Sequence, residues 1–218
     1  PTAPPTSKVK NGSKRPHDSP HLWSHPTAAG QRYQLDDPFF VLATKNPIEM
    51  EGTYPLPEAQ LDRFMFELTM DYLPEEEEVS VVMQTTGTQH EKIEPIYTGE
   101  QLVAFQQLVK GVPIAKEIAQ FAVRLAAGSR PNGAQGKDFV KEWVNWGAGL
   151  RAAQTMVMAA KARAILDGRA FVEEGDIRAV AHPALRHRIL VNYRAEAEGT
   201  TVDQIIDMLL EDTQVFTS

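Results

Sequence analysis

"FFVLATKNPIEMEGTYPLPEAQLDRF", residues 39–64, decides how this chain is read. Phe39 to Thr44 form a short apolar run with the length and composition of a strand buried on both faces, as in a parallel sheet covered by helices. The run breaks at Asn46-Pro47, a pair that starts turns. A Gly- and Pro-rich loop follows, then a short helix after Pro57, and the stretch closes on a charged pair, Asp62-Arg63. A strand finished by an amide, followed seventeen residues later by an arginine, places two polar groups at the edge of an apolar element.

Upstream, "RYQLDDP" (32–38) reads as a short strand and turn. Residues 1–30 have a different texture. Six of the fifteen prolines lie there, and Val9, Leu22 and Trp23 are the only large apolar side chains. Such a segment buries too little surface to offset its ordering entropy and is expected to be disordered. His17, His21 and His25 are spaced four apart, which on a helix would make a metal-binding stripe. Pro16, Pro20 and Pro26 oppose that helix, so no metal site is assigned.

Downstream, "MFELTMDYL" (65–73) is strand-like. Four glutamates after Pro74 suit the first turn of a helix, facing the positive end of its dipole, and that helix is expected to run to about Thr86. Thr98 with Gln101 forms a capping-box pattern, and Gly111 closes the helix. A further helix starts near Pro113 and stops at Gly128; the polar loop "GSRPNGAQGKD" then precedes a short helix ending at Trp146. Leu150 to Asp167 is a long Ala-rich helix ended by Gly168. Two short helices are expected over "EEGDIRAVA" and "HPALRHRIL", the cations of the latter on a solvated helix end. Thr201 with Gln204 caps a final amphipathic helix. No internal repeat is present. The fold class is therefore α/β: a fragment of a core with a parallel sheet over residues 31–75, followed by an all-helical region over residues 76–218.

The totals exclude several functions. The net charge is −7, but residues 1–30 carry Lys8, Lys10, Lys14 and Arg15 against Asp18, which leaves the remaining 188 residues at −10. A body that acidic is a poor nucleic-acid binder. No apolar run approaches the roughly eighteen residues of a membrane span. The absence of cysteine rules out disulfides and thiolate metal sites and fits a cytoplasmic setting. No phosphate-binding loop of the form G-x-x-x-x-G-K-[ST] occurs: "NGAQGKD" (132–138) lacks the first glycine and has Asp138 where a hydroxyl should stand. "MLLED" (208–212) reverses the Asp-Glu order of a Mg²⁺-ordering strand and lies on a helix.

"PFFVLATKNPIEMEGTYPLPEAQLDRF" (38–64) closely resembles the MoxR family of AAA+ ATPases. "WGAGLRAAQTMVMAAKARAILDGRAFVEEGDIRAVAHPALRHRI" (146–189) is similar to that family's helical lid, and the resemblance spans roughly Gln31 to Asp212. It implies a truncated P-loop AAA+ core followed by a lid that closes over nucleotide. Asn46 matches sensor 1, where an amide can orient the attacking water and touch the γ-phosphate without adding charge. Arg63 matches the arginine finger, offered in trans to the nucleotide of the neighbouring subunit. Arg151 matches sensor 2, the lid arginine that contacts the γ-phosphate. From the residues alone, Asn46-Pro47 is equally a turn starter, Arg63 can pair with Asp62 or Glu58, and Arg151 can be an ordinary surface arginine. The family pattern Gly-Ala-Ser-Pro-Arg-Ala reads Gly147-Ala148-Gly149-Leu150-Arg151-Ala152 here, without the helix-starting proline.

The family's phosphate loop and Asp-Glu strand precede the point where this chain joins the pattern, and residues 1–30 carry neither. A truncated or mis-started product, catalytically inactive alone, is the resulting expectation, and assignment as an enzyme stays open. The resemblance implies ATP and Mg²⁺ as cofactors. It also implies a homo-oligomeric, hexameric ring that remodels or matures client complexes, with von Willebrand factor A-domain proteins among the clients, and no nucleic-acid or membrane partner. The alternative is a non-catalytic interaction module that joins or regulates rings of intact subunits.

Overall fold

The computed structural model describes residues 27–28, 31–32, 37–45, 56–87 and 94–214. The chain divides into two compact units, residues 1–45 and residues 46–218.

In the first unit, β1 (Thr27–Ala28) pairs antiparallel with β2 (Gln31–Arg32), Thr27 opposite Arg32 and Ala28 opposite Gln31. Thr27 and Ala28 belong to the segment expected to be disordered, and they sit in a hairpin; residues 1–26 lie outside the described residues. The strand expected over Phe39–Thr44 is corrected. No ladder among the described residues includes them, and Phe40 and Leu42 are 69% and 95% exposed. A strand exists through its ladder. Among the described residues the only ladders are two short antiparallel ones, so the expected parallel-sheet fragment is not formed there. The same reason removes the expected strand at 65–73, whose residues are irregular.

The second unit is helical. It contains α1 (Glu58–Leu61), α2 (Glu75–Thr85), α3 (Gly99–Gly111), α4 (Lys116–Gly128), α5 (Asp138–Trp143), β3 (Val144–Trp146) and α6 (Leu150–Leu166). After these come α7 (Glu174–Leu185), a 3-10 turn (Arg186–Arg188), β4 (Leu190–Val191), α8 (Tyr193–Glu198) and α9 (Val202–Asp212). The capping boxes read from the sequence close as expected: Thr98 accepts from the Gln101 amide, and Thr201 accepts from the Gln204 amide. In each, the threonine amide donates in return to the glutamine side-chain oxygen at 2.8 Å.

The core lies between α4, α6, α7 and α9. Phe121 and Leu125 of α4, Met156 of α6, Ile177 and Leu185 of α7, and Ile205, Ile206 and Leu209 of α9 are fully buried. Alanine dominates the buried side of α6 (Ala152, Ala153, Ala159, Ala160, Ala164). Alanine favours the helix and lets neighbouring helices approach closely, so α6 is the axis on which α4 and α7 pack.

Three expectations are refined. Val144–Trp146 is not the end of α5 but a strand, pairing with β4. The two helices expected over 173–190 are one helix, α7, which runs through Pro183 into the 3-10 turn. The helix α8, capped by the Asn192 side chain and closed by Gly199 at φ 74°, was not expected.

Candidate functional site

Two of the three predicted functional residues, Arg63 and Arg151, lie among the described residues, and Asp62, the neighbour of one, pairs with the other. Asn46 lies outside the described residues. The single turn of α1 starts after Pro57 and ends at Asp62, whose amide donates to the Glu58 carbonyl at 2.9 Å. The Arg63 and Phe64 amides donate to Gln60 and Leu61, so the chain reverses tightly around residue 63. Arg63 is exposed, and its guanidinium has no hydrogen-bond or ion-pair partner among the described residues. Asp62 does not pair with it. One carboxylate oxygen of Asp62, Oδ2, accepts from Arg151 Nη1 at 2.6 Å, and the other, Oδ1, accepts from Arg188 Nε at 2.9 Å.

Arg151 is the second residue of α6. The segment leading into that helix lacks the family's proline, and α4 holds it instead. Ser129, fully buried, accepts from the Ala148 amide on its hydroxyl at 2.8 Å and donates to the Ala126 carbonyl at 2.7 Å. Arg130 Nε donates to the Ala148 carbonyl at 2.8 Å. Gly147 lies so close to this turn that a β-carbon would collide with the Ser129 carbonyl. The backbone before α6 is thus fixed on both sides, and Arg151 leaves the first helical turn with 46% of its side chain exposed.

Arg188 is the least expected member. Read from the sequence as a cation on a solvated helix end, its side chain is 1% exposed. Besides Asp62 Oδ1, it donates to the carbonyls of Asp62 (2.9 Å), Phe64 (2.7 Å), Met65 (3.3 Å) and Ala184. Burial lowers the pKa of this guanidinium, Asp62 raises it again, and neighbouring Arg151 lowers it. Its neighbours in sequence face the same strip of backbone. His187 Nε2 lies 3.1 Å from the Phe64 carbonyl, and a carbonyl partner requires that nitrogen to carry the proton and donate. The other ring nitrogen is buried without a partner, which fits a neutral imidazole. Burial, then the adjacent Arg188, push the His187 pKa below its usual 6.5. Arg186 donates to the Glu67 carbonyl at 2.9 Å while gripping Asp203.

The sequence held one signal for this. Leu185 and Ile189 flank the triplet and are both fully buried, so a tight turn between them is drawn against the core. Ser129, Arg130 and Gly147 gave no comparable signal, because their roles depend on contacts 18 or 19 residues away in sequence.

Chemically, Arg63, next to Asp62 in sequence, and Arg151, paired with it, present two exposed guanidiniums, and planar guanidinium forks suit phosphate oxygens. Those residues fit a nucleotide's phosphates. Among the described residues no group of three His, Cys, Asp or Glu side chains could hold a metal ion, so Mg²⁺ finds no cradle there. No described helix is long and apolar enough to cross a membrane.

Two family models match the chain. Residues 24–66 match the ATPase family associated with various cellular activities (AAA), and residues 138–209 match the AAA lid domain. A lid bundle joined to the arginine-bearing end of an ATPase core defines the class: this is an AAA+ ATPase polypeptide. Its relatives narrow the class further. The chain is 33% identical to the chaperone MoxR1 of Mycobacterium tuberculosis over 86% of its own length and 49% of the relative's. It is 35% identical to the uncharacterized protein YeaC of Bacillus subtilis, over 87% of the chain and 57% of the relative. A crystal structure from Cytophaga hutchinsonii, provisionally assigned as an ATPase, superposes with a TM-score of 0.80 at 35% identity, covering 89% of this chain and 59% of that one. The chain belongs to the MoxR family of AAA+ ATPases, and it spans about half the length of the curated relatives it matches.

Proposed function

We propose that this chain supplies the arginine-finger and lid parts of a MoxR-type AAA+ machine, which couples ATP binding and hydrolysis to the remodelling or maturation of client protein complexes. Arg63 is the finger offered to the nucleotide on a neighbouring subunit, Arg151 senses the γ-phosphate on its own subunit, and Asn46 orients the attacking water. The assembly is a cytoplasmic hexameric ring, with von Willebrand factor A-domain proteins among its clients.

One observation carries the reading: Asp62 spends both carboxylate oxygens on Arg151 and Arg188, so its immediate neighbour Arg63 is exposed and unpartnered among the described residues. A guanidinium left free beside a locked carboxylate is available for an external anion. In hydrolysis, water attacks the γ-phosphorus while the bond to the β–γ bridging oxygen breaks, and negative charge spreads over the transferring oxygens. Arg63 would neutralise that charge from the next subunit, a contribution worth roughly 10³–10⁵ in rate in other nucleotide hydrolases.

Residues 1–218 contain no G-x-x-x-x-G-K-[ST] loop to cradle phosphates, so they are not expected to turn over ATP alone. The test is ATP hydrolysis by purified residues 1–218, alone and with an intact MoxR-family relative. No turnover alone, with stimulated or poisoned turnover in the mixture, supports the reading. Turnover by the chain alone that is lost on Arg63→Ala would overturn it, because the chain would then build a phosphate site of its own.

A further inference from the structure

We propose that the consecutive residues Arg186, His187 and Arg188 position Arg63, so that the turn bearing the arginine finger is carried by the helical lid of its own subunit. This rests on Arg63 acting as the finger.

The geometry points one way. Three successive side chains of the lid donate to main-chain oxygens of the short segment 62–67: Arg188 to Asp62, Phe64 and Met65, His187 to Phe64, and Arg186 to Glu67. The segment returns one bond. The Glu67 amide donates to the Pro183 carbonyl at 2.9 Å. Pro183 lies in the last turn of α7, where carbonyls have no partner within the helix. Phe66 packs against the lid core between these bonds. Bonds to carbonyls fix the path of a backbone whatever its side chains are. Residue 63 lies between two held carbonyls, its Cα constrained from either side, while its own guanidinium has no partner among the described residues.

The ionic part completes the arrangement. Asp62 joins Arg151 at the head of α6 to Arg188 beyond the end of α7, and only Arg188 is buried. Arg151 can therefore leave Asp62 for a phosphate while Arg188 keeps the turn in place. The group that reads the subunit's own nucleotide is thus tied, through Asp62, to the residue next to the group offered to the neighbour's nucleotide. A lid movement that repositions Arg151 carries Arg63 with it.

A merely structural role for the triplet would alter stability and nothing else, so the test has two readouts. In the first, backbone hydrogen exchange is measured on the 218-residue chain and on Arg188→Met, Arg188→Lys and Arg186→Gln. Protection of the Glu67 amide is expected to fall about tenfold or more, while α4, α6 and α9 keep theirs. Unchanged Glu67 protection in all three variants overturns the proposal; the two milder variants keep the test open should Arg188→Met fail to fold. The second uses rings of an intact relative whose own finger arginine is replaced by alanine, to which the chain is added. Where the wild-type chain restores turnover, Arg188→Lys and Arg186→Gln are expected to lower the restored kcat by about 10²-fold, with KM for ATP and incorporation of the chain unchanged. Full restored kcat in these variants overturns the proposal. If even the wild-type chain restores nothing, the reading of Arg63 as a finger fails, and hydrogen exchange still decides whether the triplet holds the turn.

Discussion

His187 shows how much of the site depends on single protonation states. It is buried, donates through Nε2 to the Phe64 carbonyl, and has its other nitrogen enclosed without a partner. Its folded pKa lies below the usual 6.5, so between those two values the unfolded chain binds more protons than the folded one. Stability therefore has its full value above about pH 6.5 and falls as the pH drops below it, by at most about 1.4 kcal/mol per pH unit from this group. Denaturant midpoints taken between pH 7.5 and 5.5 should show that decline, and His187→Gln, whose amide can still donate to Phe64, should flatten it. An unchanged slope in the variant would contradict the assignment. None of this was legible in "LRHRI", where three polar side chains in a row look solvated. Their partners lie more than a hundred residues upstream, and sequence spacing carries no information about them. Arg63 and Arg151, by contrast, stand in stretches that resemble a family pattern, and their roles rest on that resemblance.

Among the elements, those that depend on local chemistry were readable and those that depend on distant partners were not. The boxes at Thr98 and Thr201 follow from side chains three residues apart, and the stop of α6 follows from Gly168 itself, at φ 73°. Phe39–Thr44 has the composition of a buried strand, but a ladder needs a second strand, and no described residue provides one. The approach to α6 belongs with the second group. Its missing proline is replaced by the Ser129 hydroxyl, the Arg130 side chain and the close approach of Gly147. Ser129→Ala leaves the Ala148 amide without its partner in a buried position and should cost about 1–3 kcal/mol in denaturant unfolding. Gly147→Ala should destabilise further, because the added carbon meets backbone and not a flexible side chain. A Gly147→Ala chain as stable as wild type would show that α6 is not held from this side.

At the scale of the molecule, the helical region and the arginine-bearing turn form one unit, residues 46–218, while residues 39–45 group with the preceding chain. The turn that the sequence assigns to the end of an ATPase core is bound to the lid by hydrogen bonds from Arg186, His187 and Arg188 and by the Asp62 ion pairs. In the ring proposed above, that attachment would link a subunit's own nucleotide site to the next one. The most direct measurement is single-turnover ATP hydrolysis by rings of an intact relative lacking its own finger arginine, supplemented with this chain or with its Arg63→Ala variant. Turnover restored by the wild-type chain and absent with Arg63→Ala is the expected result. Equal turnover with the two chains would contradict a role for Arg63 at the neighbouring site.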